Sequence, residues 1–164
     1  MNIQTERLEI IALPPDALVR LAEDTPALEA EWNCCYQGEA IEGVFRQILL
    51  AQAEKAKADP DNYLWHSFWL VLRRADRVVV GTVDFKSLPD RNGVVEIGYG
   101  LGERHRGQGY MTETVEAFCR WAKTCQGVHQ VVAETEADNL ASEAVLRRCG
   151  FVECFRDDST WWFR

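Results

Sequence analysis

The sequence lacks every common zinc-ligand spacing. Its six cysteines stand at positions 34, 35, 119, 125, 149 and 154 with no Cys-x-x-Cys pair, and only three histidines accompany them. No metal is expected, and the cysteines read as reduced thiols that act as small hydrophobes. No stretch approaches the roughly 18 consecutive apolar residues that cross a bilayer, and Met1–Arg7 carries no apolar segment of a signal sequence. The expectation is a cytoplasmic protein with no membrane partner. Positive charge is also scarce. Lys and Arg number 18 against 26 Asp and Glu, a formal net charge of -8. Nucleic-acid binding asks for a basic face, so no nucleic-acid partner is expected. The nucleotide-triphosphate loop Gly-x-x-x-x-Gly-Lys-[Ser/Thr] is missing, as are internal repeats and low-complexity linkers.

What is present suits one domain over 1–164 with its own core, since 47% of the residues are hydrophobic and 27% charged. Leu8–Leu13 reads as a strand that Pro14-Pro15 stops, and Pro15 fits the first turn of a helix running to about Asp24. Residues 25–40 read as a loop or broken helix. Over Ala40–Ala58 the residues Ile41, Val44, Phe45, Ile48, Leu49 and Gln52 recur at the helical period. Ser67–Arg73, Arg77–Phe85 and Val94–Leu101 are strand-like runs joined by turn residues, which predicts an antiparallel meander.

A helix over Gln108–Cys125 and a strand over Gln130–Thr135 follow, and a strand–helix–strand crossover makes its two strands parallel. Asn139 caps a last helix ending at Cys149, with Gly150 as its stop. Phe151–Arg156 and Ser159–Phe163 close the chain as a hairpin. The predicted class is α/β with a mixed sheet, in the order β-α-α-β-β-β-α-β-α-β-β.

The strand at Val94–Leu101 runs into a glycine-rich basic loop, Arg104-His105-Arg106-Gly107-Gln108-Gly109, and Tyr110 opens the helix beyond it. Backbone N–H groups at such a junction are unpaired, and the helix dipole adds partial positive charge. The loop is therefore a seat for a phosphate or diphosphate, with glycines that admit close approach. A dinucleotide fingerprint Gly-x-Gly-x-x-Gly fails because Thr112 stands at the third glycine position. That weakens a Rossmann-like oxidoreductase reading. In a chain of net negative charge, the local arginines would be needed to attract a polyanion.

The arrangement Arg-x-x-Gly-x-Gly over 104–109 resembles the pyrophosphate loop of the GNAT N-acetyltransferase superfamily, which binds acetyl-coenzyme A (acetyl-CoA). Other points along the chain agree. Thr5-Glu6-Arg7-Leu8 and Glu96-Ile97-Gly98-Tyr99 are similar to stretches of the RimJ/RimL-like branch, which acetylates protein N-termini and other amines. Asn139-x-x-Ser142 and Gly150-Phe151 match the family's Asn-x-x-Ser and terminal Gly-Phe.

The resemblance implies a GNAT fold whose fourth and fifth strands splay so that the pantetheine arm lies between them. It implies acetyl transfer from acetyl-CoA to a primary amine, either a peptide N-terminal amine or a small amine, by direct attack in a ternary complex. The implied cofactor-binding residues are Tyr99, Gly100, Leu101, Arg104, His105, Arg106, Gly107, Gln108, Gly109, Tyr110, Asn139 and Ser142.

The chemistry implied is attack of a neutral amine on a thioester. At pH 7 deprotonation costs about 1.4 kcal/mol for an α-amino group and about 4.6 kcal/mol for a lysine amine, so a base is useful or close to necessary. Glu96 is the candidate base, although by strand alternation it either faces the substrate cleft or forms the polar side of the strand. Glu134 and Glu136 are rivals.

Many family members place a tyrosine acid four residues before the Gly of Gly-Phe, but Leu146 stands there in this chain. Ser142 is then the candidate group beside the sulfur, or a helix-start serine satisfying local backbone. The missing acid keeps a non-catalytic acyl-CoA-binding module as the alternative. Trp32 and Tyr36 form either an acidic, aromatic lip for the acceptor, with Glu29, Glu31, Glu39 and Glu42, or part of a solvated loop. A monomer or homodimer is expected.

Overall fold

The computed structural model describes residues 1–164. Its N-terminal segment folds back on itself, β1 (Asn2–Gln4) pairing antiparallel with β2 (Leu8–Ala12). Helix α1 (Pro15–Glu23) starts on a proline. Asp24 then caps α2 (Thr25–Trp32) by accepting the Ala27 N–H, with Pro26 in its first turn. The segment expected as a loop or broken helix thus holds a capped helix and a two-residue strand, β3 (Cys35–Tyr36).

Helix α3 (Gly43–Ala58) and the short α4 (Tyr63–His66) precede the meander β4 (Phe68–Arg73), β5 (Val78–Phe85) and β6 (Val94–Leu101). Then come α5 (Tyr110–Ala122), β7 (Gln130–Glu136), α6 (Leu140–Arg148) and the hairpin β8 (Val152–Arg156) and β9 (Ser159–Phe163). The strands form one mixed sheet in the order β1-β2-β4-β5-β6-β7-β9-β8, with β3 pairing off this path to β5. Pairs β4–β5 and β5–β6 are antiparallel and β6–β7 is parallel, as the meander and crossover predicted.

Alternation divides the sheet into two unequal faces. Trp69, Val83, Phe85, Val95, Ile97, Val131 and Ala133 point to the larger core, which α5 and α6 close with Phe118, Cys119, Ala122 and Leu146. Phe68, Leu70, Leu72 and Val79 point to the smaller core, under Leu18 and Leu21 of α1 and Leu49 and Ala53 of α3. That second layer covers only the N-terminal side of the sheet. On its face the central strands carry Asp84, Glu96, Gly98, Gly100 and Glu134 instead of large apolar groups.

The apolar stripe expected on α3 is met in part. Leu49 and Gln52 are buried, and Ile41 and Phe45 pack on the smaller core, but Val44 is 71% exposed and Ile48 is 42% exposed, and Ala53 and Ala56 are buried in their place. The small side chains let α3 lie close to α1, and this packing overrides the bulkier residues one step round the helix.

Candidate active site

Pairing between β6 and β7 begins at Val94–Gln130 and stops at Ile97–Ala133. Both strands continue beyond it, β6 to Leu101 and β7 to Glu136, so they part. The other edge of β6 stays bonded to β5 throughout, with Lys86 N–H on the Glu96 carbonyl and Gly102 N–H on the Val80 carbonyl. Even-numbered residues therefore turn their main chain toward β5. By alternation, Tyr99 and Leu101 turn their N–H and C=O groups into the gap, and no β7 residue pairs with them. Gly100 contributes its missing side chain rather than its main chain.

At the end of β6 a single turn, Glu103–His105, leads into the loop. Gly107 and Gly109 have φ of +73° and +79°, conformations that favour glycine. The first helical bond of α5 runs from Glu113 N–H to the Gly109 carbonyl, which leaves the N–H groups of residues 107–112 without a backbone partner. The Thr5-Glu6-Arg7 segment holds this loop open from outside. Arg7 donates to the Gln108 carbonyl at 3.0 Å, and Glu113 accepts from Thr5 Oγ1 at 2.5 Å, Arg7 N–H at 2.9 Å and Arg7 Nε at 2.7 Å. With the Gln108 carbonyl drawn outward, the loop offers donors to the cleft. Arg7 also stacks over the Tyr110 ring, 4.6 Å from its centroid.

One cavity of about 620 Å³ joins the strand gap to this loop. Of the residues expected to hold the cofactor, Tyr99, Gly100, Leu101, Arg106, Gly107, Gly109, Tyr110, Asn139 and Ser142 line it. Arg104 faces a neighbouring groove with Glu103 and Gln37. Gln108 turns its amide back to the Arg104 carbonyl. His105 is buried beneath the loop, Nε2 3.1 Å from Gln37 Oε1, and burial lowers its pKa. Its place is structural, because the tight turn rotates it inward.

Trp32 and Tyr36 pack on the smaller core rather than in the cavity wall. Tyr36 instead positions Glu39, its hydroxyl donating to the Glu39 carbonyl at 2.9 Å. Pairing of β3 with Val78 and Val79 pins this connector beside the end of β6. A Cβ on Gly100 would overlap the Glu39 carboxylate, which therefore reaches the cavity wall. Partial desolvation raises the Glu39 pKa, and Arg106 and Lys86 oppose that rise. Glu39, expected only in the acidic lip, and Arg148, to which no sequence motif points, both line the cavity. The one feature of the sequence that bears on Glu39 is the bare glycine at 100, which is distant in the chain and meets it only in the fold.

Glu96 lies on the open face, outside the cavity wall. Burial raises its pKa, Lys86 opposes this, and Glu134 and Asp84 add to it. Asp84 is itself buried, which raises its carboxyl, with Lys86 Nζ 3.6 Å away. Glu134 is exposed and accepts from Ser159 Oγ at 2.6 Å, while Glu136 is exposed at the end of β7. On α6, Asn139 accepts the Ser142 N–H at 3.0 Å, which fixes the start of the helix. The Tyr99 hydroxyl stands 2.7 Å from Ser142 Oγ. Leu146 is fully buried. No group of three or more His, Cys, Asp or Glu side chains is placed to hold a metal, and no helix is long and apolar enough to cross a membrane.

The sequence model of the family described as "Acetyltransferase (GNAT) domain" matches residues 15–152. The chain belongs to the GNAT acetyltransferase family. Among curated relatives, the uncharacterized N-acetyltransferase YjdG of Bacillus subtilis (strain 168) is 33% identical over 84 residues, 51% of this chain and 50% of that protein. The ribosomal-protein-serine acetyltransferase of Escherichia coli (strain K12) is 30% identical over 74 residues, 45% of this chain and 41% of that one. The chain thus spans half or less of the length of the curated relatives it matches.

Two solved acetyltransferase structures carry the likeness along the whole chain. RimL, a ribosomal L7/L12 alpha-N-protein acetyltransferase in complex with coenzyme A, superposes with a TM-score of 0.69 at 22% identity, covering 100% of this chain and 97% of that one. The ribosomal-protein-S5-alanine acetyltransferase from Vibrio fischeri gives 0.71 at 16% identity, with 100% and 96% covered. These likenesses establish the fold of this GNAT domain.

Proposed function

We propose that the protein transfers an acetyl group from acetyl-CoA to a primary amine, by direct attack of the amine with both substrates bound. The observation that carries this reading is the continuity of one cavity, from the unpaired main chain of Tyr99 and Leu101 to the free N–H groups of residues 107–112. Its shape suits a long ligand with amides at one end and a diphosphate at the other. The site also passes a steric test, since a Cβ at Gly107 would meet no atom within 4 Å and the loop is open to a bulky group.

Acetyl-CoA supplies the activated thioester. The residues of this chain do the rest. Tyr99 and Leu101 bind the pantetheine amides as a missing strand would, and the loop N–H groups with Arg106 hold the diphosphate. A main-chain N–H at the mouth of the gap polarises the thioester oxygen. Glu96 takes the amine proton through water from the open face, and Ser142 stands at the sulfur. A peptide N-terminal amine is the favoured acceptor. The named activities of the relatives support it, as does the lower cost of deprotonating an α-amino group.

Thiol release from acetyl-CoA tests this directly, using peptides with free and blocked N-termini beside a panel of small amines. Turnover with a free amine and none with the blocked peptide is expected. A non-catalytic acyl-CoA binder would instead bind coenzyme A by calorimetry and release no thiol with any amine.

Replacing Glu96 by Gln should lower kcat by about 100-fold, within the range for a lost general base, with coenzyme A affinity unchanged. The base works only when ionised, and burial raises its pKa. Wild-type activity should therefore climb as pH rises through that raised value, and the acidic limb should vanish in Glu96→Gln. An unaltered pH–rate profile would remove Glu96 from the mechanism and turn attention to Glu39.

A further inference from the structure

We propose that Tyr99 is a positioning residue for Ser142. Its phenolic O–H is donated to Ser142 Oγ, which frees the serine's own proton to point at the sulfur that leaves the acetyl group. This rests on the acetyl-transfer reading above and deepens it, because it assigns the group that replaces the absent tyrosine of α6.

The contact is long-range in sequence and close in space. The two oxygens are 2.7 Å apart, the usual separation of an O–H···O bond. The Tyr99 hydroxyl also reaches the Ser142 carbonyl as a donor, at a longer 3.3 Å, so the closer Ser142 Oγ is the stronger of its two acceptors and the carbonyl the weaker. A serine in the first turn of a helix commonly spends its proton on a nearby main-chain carbonyl. Ser142 makes no such bond here, and its Oγ has the Tyr99 hydroxyl as its partner. The Asn139 cap fixes the Ser142 main chain, and both hydroxyl-bearing residues line the cavity where β6 and β7 part. The expected acid position offers nothing, since Leu146 has no donor and is fully buried.

When transfer occurs, the amine nitrogen bonds to the carbonyl carbon and the carbon–sulfur bond breaks. The electron pair of that bond stays on sulfur, and the surplus amine proton goes to the base on the open face. Ser142 O–H bonds to the sulfur and Tyr99 O–H bonds to Ser142. Neither hydroxyl gives up its proton. Burial pushes the Tyr99 hydroxyl up to about 12, while a thiol lies near 8.5, so that proton transfer is uphill by more than about three orders of magnitude. The pair therefore acts by charge-assisted hydrogen bonding, and solvent protonates the thiolate after release.

The test titrates the thiol of coenzyme A bound to the protein, followed by thiolate ultraviolet absorbance, in wild type, Tyr99→Phe, Ser142→Ala and the double variant. The wild type should hold that thiol about tenfold more acidic than free coenzyme A. Each single variant should lose most of that shift, and Tyr99→Phe should add less than about twofold once Ser142 is alanine. Calorimetric affinity for coenzyme A should stay within about twofold throughout, which shows that each variant is folded.

With an accepted amine, kcat should fall about 10-fold in Tyr99→Phe and about 100-fold in Ser142→Ala, with the same non-additivity. A bound thiol that titrates like the free one overturns the proposal. So does a Tyr99→Phe variant identical to wild type, or one with the same effect in both backgrounds. The expected thiol shifts without turnover on any amine would retire acetyl transfer and leave the Tyr99–Ser142 pair standing.

Discussion

Aspartate at position 109 is expected to weaken coenzyme A binding by at least about 100-fold. Two effects add. Gly109 has a φ of +79°, and a residue with a side chain is strained there by roughly 1–2 kcal/mol. The larger effect is charge. A carboxylate some 5 Å from a diphosphate, at an effective dielectric near 20, repels each unit of negative charge by about 3 kcal/mol. Within 4 Å of the position of a Cβ stands only Arg7 Nη2, at 3.4 Å, and that guanidinium already bonds Glu113 and the Gln108 carbonyl. Gly109→Ala carries only the strain and should weaken binding by about tenfold or less. Isothermal titration with coenzyme A measures both, and circular dichroism confirms that each variant is folded. An aspartate variant that binds as well as wild type would mean that the loop is not the diphosphate seat.

Phe118→Ala should destabilise the protein by about 3–5 kcal/mol, the range for removing a buried phenyl ring. The side chain is fully buried on α5. It stacks on Phe85 with centroids 4.4 Å apart and meets the Trp69 ring edge-on at 5.2 Å. Trp121, on the same helix and 5.9 Å away, completes the cluster with Trp65. These rings tie α5 to β4 and β5, so the helix that presents the loop N–H groups is anchored by rigid groups that relax little around a void. For a chain of this size the loss is about 2–4 °C in Tm per kcal/mol. Urea denaturation followed by tryptophan fluorescence and by circular dichroism would test it. Coincident transitions shifted by less than about 1 kcal/mol would mean that the ring cluster does not anchor α5.

The parts of the site legible in the sequence are those whose physics is local. A strand running into two glycines and a helix start defines an anion seat within a few residues, and the structure supplies the matching φ values and free N–H groups at 107–112. Alternation along β6 separates Glu96 from Val95 and Ile97, and the structure buries the latter two in the larger core. What stayed hidden depends on distant chain segments. Tyr99 meets Ser142 only because the gap between β6 and β7 lets α6 approach. Glu39 reaches the cavity because a two-residue strand pins its connector to β5. The burial of Ala53 and Ala56 on α3 in place of Val44 and Ile48 follows from how closely α1 can approach these alanines, which helical periodicity alone does not report. The cap of α2, by contrast, was readable in Asp24-Thr25-Pro26, and the acidic, aromatic composition around it obscured that signal.

A crystal structure of the protein with acetyl-CoA would decide whether this cavity is the cofactor site. The diphosphate should lie on the N–H groups of residues 107–112, the pantetheine amides on the main chain of Tyr99 and Leu101, and the sulfur beside Ser142. A diphosphate bound elsewhere on the protein, or a pantetheine arm outside the gap between β6 and β7, would contradict it.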